Sequence, residues 1–377
     1  MNSSSRATAG RGVDFIAHHA LQAQCAQSAF DALSRRFDCR WRLGADQAAD
    51  GAASAAVLLD HRAFHPRLRK SPQGYRNLFH MSHDLGDIDI YRSEWLGDFD
   101  AILVPGPAHR DAARAALGRD DRIVEVGWPK FDPVALPPDH AAFIQHLRTL
   151  APQPTVLYAP TWPNTWEWRQ LLPWLASMPC RLLVKNHILV DAGKPFPPGE
   201  EARYAECRRS IEAMEDYVRG LGSPARIVAP AAMNVCALFP QVDMLITDSS
   251  SCAIEFLPFG ASIETGRTGA GDNPAEDFDP QGSRLCKAVK CLDLAAMEAR
   301  MPTREAFLDA VTGNGVRDAD AAAAIIAPRP AGQIGAGAAS VIAAWLDLFP
   351  QGAPQFESSP QRPASARISS ALRRWRP

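Results

Sequence analysis

The sequence contains no Gly-x-Gly-x-x-Gly, no Walker loop and no Gly-x-Ser-x-Gly. Those absences remove most of the case for a nicotinamide dehydrogenase, a P-loop kinase and an ordinary serine hydrolase. No two of its eight cysteines are spaced Cys-x-x-Cys. Cys286 and Cys291 have four residues between them and no second cluster, so neither a zinc site nor any tightly bound metal is expected. Most of the cysteines lie in apolar stretches, where a free thiol acts as a small hydrophobe, and a reducing cytoplasm is the simplest reading. Charge of one sign is also missing: Lys+Arg 40 against Asp+Glu 42 gives −2, so nucleic acid is not an expected partner. No apolar run reaches the ~18 residues that a membrane-crossing helix needs. Residues 1–12 are Ser/Gly/Arg-rich, without the apolar core of a secretory signal, and are expected to be disordered.

What is present is a globular composition, 46% hydrophobic and 22% charged over 377 residues, enough for two domains. Strands are expected at Val13–Ala17, Cys39–Leu43, Ala56–Asp60, Asn77–His83, Asp100–Val104 and Arg122–Val126, with helices over Leu21–Arg36 and Ala108–Leu117. A Pro-rich connector, Trp128–Pro154, holds one helix at Asp139–Leu150. The alternation then restarts, with strands at Thr155–Ala159, Arg181–Lys185, Arg226–Ala229 and Asp243–Thr247. Helices are expected at Trp166–Ser177, Pro198–Gly222, Ala231–Phe239, Ser250–Phe259, Asp293–Met301, Thr303–Val311 and Gly335–Leu348. Strands alternating with helices imply parallel sheets. The expected fold is therefore α/β: two Rossmann-like domains, 13–150 and 151–350, with parallel sheets facing across a cleft. The tail 351–377 is Pro/Ser-rich with five arginines and reads as a disordered basic end. Its segment Ile368–Trp375 also suits a short amphipathic helix on anionic lipid, which would place the protein peripherally on the inner membrane face.

The segment Val242–Phe256 ends an apolar strand in Thr247-Asp248-Ser249-Ser250-Ser251. Hydroxyls and amides of Ser249, Ser250 and Ser251 at a helix start suit a phosphate, and Glu255 one turn later suits ribose hydroxyls. A single N-cap is the plainer reading of Asp248 or Ser249. Tyr158-Ala159-Pro160-Thr161 ends another strand, with Pro160 and Thr161 at the carboxyl edge where open parallel sheets bind ligands. Lys185-Asn186-His187 puts a cation, an amide and a candidate catalytic imidazole at a third such edge. In the first half, His80 reads as structural, and His83 before the turn Asp84-Leu85-Gly86-Asp87 is the better general base. His18 and His19 end the first strand, and Lys130 follows the last strand of the first half, aimed at the cleft.

Together these segments resemble the CDP-glycerol glycerophosphotransferases, the teichoic-acid primase and polymerase family. Its motifs are Trp-His-Gly-Thr, Gly-Tyr-Pro-Arg-Asn-Asp, Tyr-Ala-Pro-Thr, Arg-Met-His, and Thr-Asp-Tyr-Ser-Ser followed by an acid. In the same order this chain has Ser82-His83-Asp84-Leu85-Gly86, Gly127-Trp128-Pro129-Lys130-Phe131-Asp132, Tyr158-Ala159-Pro160-Thr161, Lys185-Asn186-His187, and Thr247–Ser251 with Glu255. The resemblance implies a glycosyltransferase-B-type fold with the donor nucleotide on the second domain. It implies transfer of glycerol phosphate from CDP-glycerol to a hydroxyl of a lipid-linked or polysaccharide acceptor, releasing CMP, in surface-polymer synthesis. His83 is then the base. Ser82, Asp84, Gly86 and Lys130 of the matching first-domain motifs are then substrate-binding residues, and Pro160, Thr161, Lys185, Asn186, His187, Ser249, Ser250, Ser251 and Glu255 contact the donor. No cofactor is implied beyond Mg²⁺ arriving with the diphosphate. Asp84 stands where the family has glycine, and Lys130 and Lys185 where it has arginine, so a two-pronged phosphate clamp becomes a point charge. Two other readings stay open: the same fold with CDP-ribitol or a nucleotide sugar as donor, and a nucleotide-binding protein without turnover.

Overall fold

The computed structural model describes residues 12–17, 20–43, 53–59, 75–85, 91–92, 94–161, 165–187, 201–248, 250–265, 290–291, 294–312, 323, 325–330 and 332–349. The chain divides into two compact units, Met1–Val134 with Ala323–Pro377, and Ala135–Ala322. The first contains β1 (Gly12–Ala17), α1 (Ala20–Gln24), α2 (Gln27–Ser34), β2 (Asp38–Leu43), β3 (Ala55–Leu58), β4 (Asn77–Met81), β5 (Ala101–Val104), α3 (Pro107–Leu117) and β6 (Ile123–Glu125). All six strands are parallel, in the order β2-β1-β3-β4-β5-β6. Side chains alternate between the two faces. Val13, Phe15, Val57, Phe79, Met81 and Leu103 join one core cluster, while Ile16, Ala56, Leu58, Leu78, Ile102 and Val104 join another. The expected helix Leu21–Arg36 is two helices. Cys25 and Ala26 turn tightly between them, donating their N–H groups to the carbonyls of Gln22 and Ala23.

The second unit begins with α4 (Pro138–Thr149) and continues through β7 (Thr155–Tyr158), α5 (Thr165–Ser177), β8 (Arg181–Val184), α6 (Glu201–Gly220), β9 (Arg226–Val228), β10 (Met244–Thr247), α7 (Cys252–Glu255), β11 (Ala261–Glu264), β12 (Lys290–Cys291), α8 (Leu294–Arg300) and α9 (Arg304–Thr312). Its sheet is again six-stranded and parallel, ordered β12-β11-β10-β7-β8-β9. Val156, Tyr158, Leu182, Val184, Met244 and Ile246 pack with Trp168, Leu172 and Leu175 of α5, Met214 of α6, and Phe307 of α9. Two expected helices are replaced. Over Ala231–Phe239 the chain makes 3₁₀ turns at Val235–Ala237 and Phe239–Gln241, because the Asn234 side chain takes the Cys236 N–H and Pro240 has no N–H to give. Over Ser250–Phe259 only α7 forms, since Pro258 bars helix at Leu257. β11 and β12, not expected from the sequence, are Ala-Ser-Ile-Glu and Lys-Cys and lack the apolar run of central strands such as β7 and β10.

The last helix, α10 (Ile334–Leu348), belongs to the first unit, not the second. Its Ala338, Ala339, Ile342, Trp345 and Leu346 pack in the same cluster as Ala26, Ala29 and Leu33 and the sheet residues beneath them. Trp345 meets Phe79 edge-on, with ring centroids 6.5 Å apart. At Gly335 the helix approaches the backbone of Ser28 and Ala29 so closely that any side chain there would collide. Asp132, 5% exposed, caps the helix, accepting N–H bonds from Gly332 at 2.8 Å, Ile334 at 3.3 Å and Gly335 at 2.6 Å. The expected domains 13–150 and 151–350 are corrected accordingly: 135–150 goes with the second unit and 323–350 with the first. The physical reason is that α1 and α2 are too short to cover their sheet face, and a long apolar helix from the far end of the chain completes it. Among the described residues, no helix is long and apolar enough to cross a membrane. Residues 1–11 and the tail 351–377 lie outside the described residues.

Candidate functional site

In parallel sheets, side chains just past the carboxyl ends of the strands are displayed together, and ligands bind there. In the first unit the informative edge is that of β4. Met81 ends the strand, and Ser82, His83 and Asp84 follow. Ser82 is buried; its Oγ donates to the Asp84 carbonyl at 3.0 Å and accepts the Asp84 N–H at 3.1 Å. This small turn sets His83 at its crest, half-buried. The His83 backbone N–H donates to the Leu59 carbonyl at 3.1 Å, and ring Nδ1 lies 2.8 Å from the same oxygen. A carbonyl only accepts, so Nδ1 carries the proton and Nε2 is the ring nitrogen with the accepting lone pair. Gln22 Nε2 lies 3.2 Å from His83 Nε2, so the amide N–H of Gln22 donates to it.

His80 lies on β4, fully buried, with its ring edge-on to Tyr91, Trp95 and Phe99 at 5.3–5.6 Å, a packing role as expected. His109 on α3, which no sequence argument singled out, fixes the turn that carries His83. Its Nε2–H donates to the Leu85 carbonyl at 3.1 Å, and burial pushes its pKa down to about 4. Lys130 sits half-buried on a 3₁₀ turn, Pro129–Phe131, between buried Trp128 and the helix-capping Asp132. Much of that motif is therefore a brace for α10. His18, His19 and Gly86 lie outside the described residues.

The second unit shows more of its polar edge turned inward. Past β7, the Thr161 N–H donates to both carboxylate oxygens of Asp248 at 2.9 Å, and Thr247 Oγ1 donates to the Ala159 carbonyl at 2.6 Å. These bonds stitch the ends of β7 and β10 together and bring Thr161 beside Asp248. Asp248 is a clamp rather than a helix cap. The Thr161 amide, expected at the ligand edge, is spent on it, leaving the hydroxyl. The Ser250 N–H donates to the Asp248 carbonyl at 2.6 Å, and Ser250 Oγ accepts the Cys252 N–H at 3.3 Å. The expected cluster of unpaired amides is thus partly closed on itself. Ser251 precedes the four-residue α7 without a side-chain cap bond; Ser249 lies outside the described residues.

Past β8, Lys185 is 7% exposed and its Nζ donates to the carbonyls of Asn186 and Ala231, both at 3.0 Å. Its ammonium ties this edge to the loop after β9. Asn186 is 1% exposed, and its Nδ2 donates to Glu215 Oε1 of α6 at 2.6 Å. His187 is half-buried at the same edge. Glu255, expected to face ribose, is fully buried and accepts the Cys236 thiol at 3.5 Å. Among the described residues no group of three or more His, Cys, Asp and Glu side chains is placed to hold a metal ion. Sequence reasoning missed Gln22, Glu215 and Cys236. The signal for Gln22 was its position on the first turn after β1, itself a strand carboxyl edge.

No known protein family matches the chain by sequence, and no curated protein matches it. Solved structures match it by shape. The wall teichoic acid polymerase TagF, in a structure with CDPG, is 13% identical, with a TM-score of 0.57 over 91% of this chain and 90% of that one. MnaA of S. aureus, in a structure with UDP, is 10% identical, with a TM-score of 0.53 over 92% of this chain and 100% of that one. At such identities the likeness concerns architecture: the chain has an α/β fold of the glycosyltransferase-B type.

Proposed function

We propose that the protein is a transferase acting on a nucleotide-activated donor, and that the donor is CDP-glycerol. An acceptor hydroxyl, lipid-linked or on a polysaccharide, gives its proton to His83 Nε2. Its oxygen bonds to the glycerol-bearing phosphorus, and CMP leaves with the electrons of the broken P–O bond. In this reading the second unit holds the donor through the Thr161 hydroxyl, His187, Ser249, Ser250 and Ser251. Mg²⁺, where used, arrives with the diphosphate. In phosphoryl transfer, positioning and charge stabilisation do most of the work. The observation that carries the reading is the fixed tautomer of His83: a strand-edge imidazole whose Nδ1–H is held by a backbone carbonyl keeps Nε2 as its basic atom. The ordered set of five motifs, Tyr158–Thr161 among them, supports the choice of donor.

A second reading, with a nucleotide sugar as donor, is favoured by one observation. Lys185, which replaces an arginine of the resembling family, is occupied by two backbone carbonyls. A thermal-shift panel of CDP-glycerol, CDP-ribitol and UDP-sugars separates the two, with CDP-glycerol expected to give the largest shift. His83→Ala is expected to lower CMP release at least a hundredfold while donor binding survives. Normal turnover by that variant rules out His83 as the base.

A further inference from the structure

The basic nitrogen of His83 has a built partner. Gln22 is 5% exposed on α1, and its amide nitrogen reaches Nε2 at 3.2 Å. Cys25, on the turn that ends the same helix, donates its thiol to the His83 carbonyl at 3.4 Å. The Leu59 carbonyl holds the opposite ring nitrogen and the backbone N–H. The residue is thus gripped from two sides, by the end of β3 and by the turn after β1, and its ring has one orientation.

We infer that Gln22 is a positioning residue for the acceptor, and that the acceptor group it selects is an alcohol. The inference rests on the reading of His83 as base. The Gln22 N–H and the Nε2 lone pair form a donor facing an acceptor. A hydroxyl, with one hydrogen and two lone pairs, can displace the Gln22 amide from Nε2 as that side chain withdraws, donating to Nε2 while accepting from the amide N–H. Its remaining lone pair is then directed by two bonds. When that lone pair forms the O–P bond, the hydroxyl proton passes to Nε2, and the P–O bond to CMP breaks with its electrons leaving on CMP. The amide takes no proton, so Nε2 is the proton's destination. A carboxylate or phosphate offers no hydrogen to Nε2 and is poorly matched to this pair.

The test uses the full chain with its histidine rings labelled with nitrogen-15, His83→Ala identifying the signals of residue 83. Gln22→Met keeps the side-chain length and removes the amide; Gln22→Glu keeps size and polarity without an N–H. The expected result is that each variant moves the Nε2 signal of His83 and lowers kcat about tenfold or more, with CDP-glycerol affinity unchanged. Two measurements let either variant stand alone if the other misfolds. An Nε2 signal that neither variant moves overturns the inference whatever the turnover, because it shows that Gln22 does not touch the ring. A moved signal with wild-type kcat also overturns it, because the contact then does not position the acceptor. If His83→Ala retains turnover while Gln22→Met moves the signal, the base assignment falls and the Gln22–His83 contact stands.

Discussion

The edges of β4 and β8, each an inner strand of its sheet, use polar residues in opposite ways. At β4, the polar groups fix the tautomer of one ring: a carbonyl holds Nδ1–H, and Nε2 accepts from the Gln22 amide. At β8, Lys185 and Asn186 are nearly inaccessible and bonded to the protein itself. A buried ammonium persists only with its hydrogens satisfied, and here satisfying them joins two strand ends. The same kind of motif, a short polar run after an apolar strand, thus ends in a half-buried imidazole in one unit and in buried, internally bonded side chains in the other. The sequence does not distinguish them, because the difference lies in which backbone carbonyls come near.

Four measurements break or sharpen this contrast. Lys185→Met is expected to destabilise the second unit by about 4 kcal/mol, since the carbonyls of Asn186 and Ala231 lose their donor. Denaturant unfolding followed alongside donor titration decides the matter: weaker donor binding at unchanged stability would return Lys185 to the donor site. Asp132→Ala comes next, at about 3 kcal/mol from the first unit, because three N–H groups at the start of α10 lose their acceptor. Its readout is hydrogen exchange along α10, which should rise there and not in the second unit.

The third concerns pH. His109 has a folded-state pKa of about 4 against an ordinary 6.5, so the unfolded chain binds the proton more readily. Its contribution to stability is complete above pH 6.5 and is lost as pH falls toward 4. At pH 5 the loss is about 2 kcal/mol. Thermal unfolding of the wild type and His109→Gln across pH 4.5–7.5 should show a slope that the variant flattens; parallel curves would refute it. The smallest effect is expected of Asp248→Asn, about 1 kcal/mol, because one oxygen still reaches the Thr161 N–H. A much larger loss of donor affinity from that variant would show that the stitched turn is itself part of the donor site.

Much of the architecture was legible in the sequence. Apolar runs such as Ala101–Val104 and Arg181–Val184 mark strands buried on both faces, and their order gives two parallel sheets. The polar residues after β4, β7, β8 and β10 were found by looking just past those runs. The home of α10 was not legible, because an apolar helix does not state which sheet it covers. Asp132 and Gly335 mark the join, yet alone each reads as an ordinary turn acid and a helix glycine. The burial of Lys185 and Glu255 was not legible, because residue type carries no information on burial. Gln22 was invisible for the opposite reason, since a glutamine in an amphipathic run has no motif around it.

The route of the chain through α10 bears on how the molecule is made. The second unit occupies one uninterrupted stretch, Ala135–Ala322, and has all its residues before the first can finish its core. On the ribosome, the sheet that carries His83 therefore waits half-covered until residues 334–348 emerge. Messenger truncation or a stalled ribosome near the 3′ end would yield a chain with an intact second half and an open, aggregation-prone first one.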